Sequence, residues 1–262
     1  MANYRYCSYE IDNNIGTLEI NRPPVNALEH RLLSEIHQVA KEVARDASKY
    51  KLRVLLIQAK GKHFCAGADL KERIATPADK VAGVLHHLSA AIRSIGDLAI
   101  PVIALVHGST LGGGFELALT ADIRVFADSA KVALRETALA IIPGAGGTQR
   151  LSRLIGYSKA LYWITSGHIF SAKEAHEQGV ADYLVPETEL RQTGMKLAEE
   201  IAANGPFAVQ QAKKAIRAGL DLPLDKGLDK EFSLYLPLIP TQDRREGLYA
   251  FFEKRKPKYT GQ

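Results

Sequence analysis

Short apolar segments that alternate with amphipathic ones constrain the fold of this 262-residue chain more than any other feature. Three of them, Val54–Ala59, Val102–Val106 and Ile123–Ala127, are rich in β-branched residues and have the length of buried strands. Apolar residues at helical spacing fill the segments 29–46 and 81–95. Parallel strands need helical crossovers between them, and ligand sites in such sheets lie at strand-to-helix turns. We therefore expect an α/β fold with a mostly parallel sheet.

Both ends of the chain depart from this alternation. The segments 6–11 and 16–20 flank Asp12-Asn13-Asn14, a turn-forming sequence, and predict a β-hairpin. After residue 147, a capping box at 171–174, Pro206 and Thr241 each indicate the start of a helix. Apart from one strand candidate at 182–185, the last third of the chain is predicted to be helical.

Composition limits the classes of function. The chain has 34 Lys plus Arg against 29 Asp plus Glu, a net charge of +5 that suits an anionic ligand without requiring one. Cys7 and Cys65 are too few for a disulfide framework and favour a reducing compartment. The longest apolar run, 98–106, contains Pro101 and is shorter than the roughly 20 residues that span a bilayer. The start lacks a secretion signal, so we expect a cytoplasmic protein, or a mitochondrial matrix protein if a leader has been removed.

The segment 111–121, Leu-Gly-Gly-Gly-Phe-Glu-Leu-Ala-Leu-Thr-Ala, is the most informative about chemistry. Glu116 is its one carboxylate, and a carboxyl in apolar surroundings has a raised pKa that suits proton transfer near neutral pH. A structural ion pair is the alternative interpretation. The glycines leave free N–H groups at a helix start, which can bind a negatively charged oxygen or form a tight packing turn.

Glu136 is a second carboxylate in an apolar stretch, with Arg135 as a candidate neutralising partner. In the segment 64–69, Phe-Cys-Ala-Gly-Ala-Asp, Asp69 can cap a helix. Nucleotide motifs fail, because no Gly-Lys-Ser/Thr follows the three glycines and Gln149 stands where a dinucleotide fingerprint needs a glycine. The histidines lack metal-ligand spacing, so we expect no metal site.

The segments 64–69 and 111–116, together with Glu136 and the segment 142–151, resemble the enoyl-CoA hydratase/isomerase (crotonase) family. The likeness runs in the expected order from residue 18 to residue 256. It implies an α/β fold with a crotonase-like core of repeated ββα superhelical turns over residues 1–200. A helical C-terminal trimerisation region over residues 201–262 would follow, giving a homo-trimer or a dimer of trimers.

The resemblance also implies the chemistry. An acyl-CoA thioester would be the substrate, with CoA as part of it and no separate cofactor. The backbone amides of Ala68 and Gly113 would hold the thioester oxygen. Glu116 would act as base toward the attacking water, and Glu136 would deliver the proton to the α-carbon. Isomerisation or decarboxylation through the same enolate is the alternative activity.

Further substrate contacts follow from the same resemblance: Val25, Ala66, Asp69, Leu70, Gly112, Phe115, Pro143, Gly144 and Lys254. The segment 23–28 is one residue shorter than the family pattern and lacks its basic residue. The segments 68–73, 139–143 and 239–244 look closest to the methylglutaconyl-CoA hydratase branch, of which one member binds RNA. RNA is a less favoured partner here, because the predicted helix over 29–46 carries four acidic against three basic side chains and is close to neutral.

Overall fold

The computed structural model describes residues 4–262, which form two sheets and eleven helices. The strands are β1 Cys7–Asp12, β2 Ile15–Ile20, β3 Val54–Ala59, β4 Val102–Val106, β5 Ser109–Leu111, β6 Ile123–Ala127, β7 Lys131–Ala133, β8 Phe170–Ser171 and β9 Tyr183–Val185. The helices are α1 His30–Ala47, α2 Leu70–Ala75, α3 Val81–Gly96, α4 Gly113–Ala118, α5 Gly147–Ile155, α6 Tyr157–Ser166, α7 Ala172–Glu177, α8 Leu190–Ala202, α9 Pro206–Gly219, α10 Leu224–Tyr235 and α11 Gln242–Phe252.

The larger sheet has six strands in the order β1-β2-β3-β4-β6-β9. All neighbouring pairs are parallel except the β1–β2 hairpin, so the predicted mostly parallel sheet is confirmed. Asn13 and Asn14 both have positive φ, which a two-residue hairpin turn of this twist requires. Strand β4 is buried at every position, as expected for a central parallel strand covered on both faces.

Helices cover the two faces of this sheet. Helices α1 and α3 pack on one face, where Leu32, Ile36 and Val39 of α1 are fully buried, as their spacing predicts. Helix α8 covers the other face and buries Ala198 against β3, β4 and β6. The helices α7, α9 and α11 also begin where their start signals predict, whereas α10 had no predicted start. The predicted division of the chain at residue 200 stays a prediction.

The second sheet has three strands in the order β5-β7-β8, and the sequence pattern did not predict it. Its strands have two or three residues, too few to show a hydrophobic period. This sheet fixes the glycine-rich segment, since Leu111 N–H donates to the Cys65 carbonyl at 3.0 Å and Gly112 N–H to the Ala133 carbonyl at 2.8 Å.

Helix α4 begins at the last but one of the three glycines, Gly113, and ends at Ala118, three residues before the end of the segment 111–121. The chain must turn there to enter β6, and Asp122 N–H already donates to the Val102 carbonyl of β4 at 2.9 Å. Every residue of α4 is buried. Gly114 makes this burial sterically feasible, because a Cβ at that position would lie 2.2 Å from the Cys65 carbonyl oxygen.

No helix within residues 4–262 is long and apolar enough to cross a lipid bilayer.

The close approach at Gly114 predicts opposite effects for two glycine substitutions. Gly114→Ala should lower the free energy of unfolding by about 1–3 kcal/mol, because α4 must move away from the Cys65 backbone. Gly83→Ala, in α3 with no atom within 4 Å of the added Cβ, should raise it by about 0.5–1 kcal/mol. Urea denaturation of both variants checks this, and equal effects would contradict the packing described here.

Candidate active site

A cavity of about 360 Å³ lies where several strand-to-helix turns meet. The turn after β3, the turn between β5 and α4, and the segment after β7 all contribute to its wall. The lining residues are Ala66, Gly67, Ala68, Leu70, Arg73, Leu88, Leu111, Gly112, Gly113, Glu116, Arg135, Glu136, Ala138, Leu139, Ile141 and Gly144. This placement is the one that parallel α/β sheets predict for a ligand site.

Two backbone N–H groups on the cavity wall are free to bind a ligand. The amides of Ala68 and Gly113 donate to no acceptor within residues 4–262, and Gly113 is the first residue of α4, where helical N–H groups have no internal partner. They lie close together, since a Cβ built on Gly113 would be 4.0 Å from the Ala68 nitrogen. The arrangement suits a single negatively charged oxygen between them.

The glycines around these amides are a steric requirement. Gly67 has a φ of +95°, and a Cβ there would lie 2.7 Å from the Leu111 carbonyl oxygen. Gly112 has a φ of +50°, and a Cβ there would lie 2.8 Å from Oε1 of Glu136. Side chains at either position would therefore separate the two turns or enter the cavity.

Glu116 is 1% exposed and anchored by the backbone of a neighbouring turn. The N–H groups of Ala145 and Gly147 both donate to its Oε1, each at 2.8 Å. Burial raises the pKa of this carboxyl, although the two amides and the charge of Arg150 partly offset the effect. No ion pair to Glu116 forms among the described residues, so backbone amides take the place of the ion pair considered from the sequence.

Glu136 begins a short 3₁₀ turn and is partly buried. Burial first, and then the charge of Glu116, raises its pKa to about 7. Its Oε2 is shielded from solvent and has no hydrogen-bond partner within the described part of the chain. Arg135 forms no ion pair with it there, so the neutralising partner considered from the sequence is wrong.

The stretch after Glu136 is more exposed than its apolar composition suggests. Its apolar composition favours burial, yet Leu139, Ile141 and Ile142 are 57%, 42% and 70% exposed. Leu139 and Ile141 instead form part of the cavity wall. Apolar side chains at a site that binds an apolar ligand need not be buried in the core.

The structure brings together most, but not all, of the residues proposed from the sequence. Those on the cavity wall are Ala66, Ala68, Leu70, Gly112, Gly113, Glu116, Glu136 and Gly144. Phe115 is a correction: it is fully buried and stacks on Trp163 at 5.9 Å between ring centroids, because the helical turn that directs Glu116 to the cavity directs its neighbour into the core.

Four other proposed residues lie outside the cavity wall. The Val25 carbonyl accepts from Ala66 N–H at 3.0 Å, and Asp69 caps α2 and pairs with Arg22 at 2.8 Å. Pro143 is buried beside the glycine turn that precedes α5. Lys254 is exposed after α11, and its contact with CoA stays a prediction.

Sequence reasoning missed Arg73, Leu88 and Leu139 as wall residues. Leu88 has the apolar spacing of α3, which looks the same whether it faces a core or a cavity. Arg73 lies one helical turn after Asp69, the predicted helix cap. This spacing is the sequence feature that could have indicated Arg73 as a wall residue. The described residues include no group of three or more His, Cys, Asp or Glu side chains placed to hold a metal ion.

Comparison with known proteins agrees with the site. The family model described as Enoyl-CoA hydratase/isomerase matches residues 10–262. The chain belongs to this family. It is 42% identical over 259 residues to the mitochondrial methylglutaconyl-CoA hydratase of Homo sapiens, covering 97% of this chain and 76% of the relative. It is 39% identical over 251 residues to the enoyl-CoA isomerase/hydratase fer4 of Mycosarcoma maydis, covering 93% and 92% of the two chains.

Solved structures show the same crotonase fold. The crystal structure of an enoyl-CoA hydratase from Bacillus anthracis superposes with a TM-score of 0.95 at 41% identity, covering 98% of this chain and all of that one. An enzyme of Geobacillus kaustophilus gives a TM-score of 0.94 at 29% identity over the full length of this chain. The crotonase-like α/β fold predicted from the motifs is therefore confirmed, and the chain is an enzyme of this family.

The two carboxyls predict a measurable coupling. Glu136 should titrate with a pKa of about 7, and E116Q should lower that pKa, because the substitution removes the negative charge that disfavours ionisation of Glu136. Carboxyl ¹³C chemical shifts followed against pH check both statements. An unchanged titration of Glu136 in E116Q would show that the two carboxyls do not interact.

Proposed function

We propose that this enzyme is a hydratase that adds water across the 2,3 double bond of a short-chain or branched 2-enoyl-CoA, 3-methylglutaconyl-CoA included. One observation supports this most: Glu116, Glu136 and the free amides of Ala68 and Gly113 face a single cavity. Addition of water to a 2-enoyl thioester needs carboxyls that move the protons and N–H donors that bind the thioester oxygen. CoA would enter as part of the substrate, and the reaction as written uses no further cofactor.

The free amides would stabilise the charge that forms during the addition. When an oxygen nucleophile attacks C3 of a 2-enoyl thioester, electron density moves to the thioester oxygen and an enolate develops. The N–H groups of Ala68 and Gly113 would donate to that oxygen. Each preorganised donor of this kind is worth about 2.7–4 kcal/mol of transition-state stabilisation.

The carboxyls would move the protons. Glu116 has one oxygen held by two amides, which leaves Oε2 to accept a proton from water as its oxygen bonds to C3. Glu136, with a pKa raised to about 7 by burial, is protonated in part of the molecules at neutral pH, and this protonated form would give its proton to C2. Water thus supplies the hydroxyl at C3, and one proton returns to Glu136 as the pair resets. The two groups titrate as a coupled pair.

Names of similar proteins support hydration as the reaction. The human relative is called a methylglutaconyl-CoA hydratase, and the relative from Mycosarcoma maydis an isomerase/hydratase. Isomerisation and decarboxylation would use the same enolate, so product identification belongs in any assay of this enzyme.

Removing either carboxyl should abolish most activity. E116Q and E136Q should each lower kcat for hydration of crotonyl-CoA by roughly 10²–10⁴-fold, since each loses a proton-transfer group. Loss of ultraviolet absorbance of the conjugated thioester measures the rate, and mass spectrometry of the product distinguishes hydration from isomerisation. The exposed Glu177→Gln is the matched control and should keep the wild-type rate. Near wild-type rates in E116Q and E136Q would overturn the assigned mechanism.

We also infer a homo-trimer or a dimer of trimers, built through the C-terminal helices. Contiguous exposed apolar surface of this kind is typical of protein interfaces. The exposed apolar residues of α9 to α11 and their connections include Ile216, Leu220, Leu224, Leu228, Phe232, Phe251 and Phe252.

This inference predicts a solution mass of three or six times 28.7 kDa. The double substitution Leu228→Glu with Phe232→Glu should reduce the mass, because it places charges in the buried interface. Light scattering after size-exclusion chromatography measures it, with Lys173→Glu on the exposed surface of α7 as the control. A wild-type monomer would contradict the proposal.

The expected compartment is also a proposal. Both cysteines, Cys7 and Cys65, are buried and unpaired, which suits a reducing environment. We infer the cytoplasm or the mitochondrial matrix, and several relatives are named as mitochondrial proteins.

A further inference from the structure

Arg73 presents a guanidinium to the cavity without a partner. It is partly buried on the cavity wall, and its side chain forms no hydrogen bond or ion pair within residues 4–262. Arg22 and Arg124, by contrast, are paired, with Asp69 at 2.8 Å and with Asp182 at 2.9 Å. The nitrogens of Arg73 are not fully shielded from solvent, so a ligand that enters the cavity can bind them.

The backbone that carries Arg73 is held in place. Asp69 accepts from Lys71 N–H at 3.0 Å and caps α2, and its other oxygen pairs with Arg22. At the other end of α2, the Thr76 hydroxyl donates to the Glu72 carbonyl at 2.8 Å. Leu70 and Arg73 stand three residues apart, on one face of the helix, and both line the cavity. The fold therefore fixes the backbone position of Arg73 on the cavity wall.

Arg73 influences the two glutamates of the cavity without forming an ion pair with either. Burial raises the pKa of both Glu116 and Glu136, and the positive charge of Arg73 partly offsets this for each. Arg73 therefore acts on both carboxyls through space, yet no oxygen of either lies within ion-pair distance of it. Arg135, the other cation of the wall, is exposed.

The cavity that Arg73 lines also has large apolar side chains on its wall. These are Leu70, Leu88, Leu139 and Ile141. An acyl chain can pack on these side chains, and a guanidinium among them recognises a negatively charged, planar group. Without Arg73, the two glutamates would repel an anionic ligand from the cavity.

We propose that Arg73 is a specificity-determining residue that binds a carboxylate at the far end of the acyl chain. Preferred substrates are then CoA monothioesters of unsaturated dicarboxylic acids. The inference rests on the proposed function and names the substrate class that the same site selects. The guanidinium forms a bidentate pair with the carboxylate while the thioester oxygen lies between the Ala68 and Gly113 amides.

The test compares two substrates of similar size that differ in charge. Glutaconyl-CoA carries a terminal carboxylate, and in 5-methylhex-2-enoyl-CoA two methyl groups replace the carboxylate oxygens. The wild type should hydrate glutaconyl-CoA with the higher kcat/KM. Arg73→Met should lower kcat/KM for glutaconyl-CoA by roughly 10- to 100-fold, the effect of losing a charged hydrogen-bonded pair, and change that for the neutral substrate less than threefold.

Two further variants sharpen the comparison. Arg73→Lys keeps the charge but not the planar fork, so it should recover part of the loss with glutaconyl-CoA. Lys80→Met removes an exposed cation after α2 and should leave the ratio of the two kcat/KM values unchanged. Two results would overturn the proposal: an equal loss of kcat/KM for both substrates in Arg73→Met, or a shifted pH profile with an unchanged ratio of the two kcat/KM values. Either result would mean that Arg73 acts on the glutamates or on CoA.

Binding of saturated thioesters separates this inference from the proposed function. Calorimetry should show wild type binding glutaryl-CoA more tightly than 5-methylhexanoyl-CoA, and Arg73→Met should remove that preference. If wild type hydrates neither unsaturated substrate, the proposed function fails, whereas the binding preference still reports on Arg73. Equal affinity of wild type for the two saturated thioesters would overturn the carboxylate site.

Discussion

The two hydrogen bonds from the Ala145 and Gly147 amides to Oε1 of Glu116 are the interaction on which the site depends. They hold a nearly fully buried carboxyl in place without an ion pair. Burial raises the pKa of this carboxyl, and the two amides and the charge of Arg150 only partly offset that rise. The two hydrogen bonds also join α4 to the turn before α5. The distant segments 111–118 and 144–147 are thereby fixed relative to each other, and both contribute residues to the cavity wall.

Backbone groups do much of the work that side chains do in other enzymes. The free amides of Ala68 and Gly113 come from two turns whose glycines allow close approach, and the small β5-β7-β8 sheet holds those turns. Preorganised backbone donors need no reorganisation during the reaction. The close approach of the two turns leaves little room for side chains around these donors. Side chains then supply what the backbone cannot: proton transfer by Glu116 and Glu136, and selection of the acyl group by the cavity wall.

Much of the fold was predictable because its signals are local. Segment length and hydrophobic period identify the strands β3, β4 and β6 and the helices α1 and α3. Capping chemistry predicts the helix starts at Ser171, Pro206 and Thr241. The strands β5, β7 and β8 were missed because two or three residues carry no period. Phe115 was misplaced because sequence neighbours on a helix face different directions.

By itself, the sequence determined the class of sheet, the family and the two carboxyls with their glycine-rich turns, since these depend on residue type and local spacing. The tertiary structure alone decided which groups meet. It left Oε2 of Glu136 without a partner, placed Phe115 in the core and brought Arg73 to the cavity. The physical reason is that contacts between residues far apart in the chain depend on how turns of the sheet converge, and no local pattern encodes that convergence.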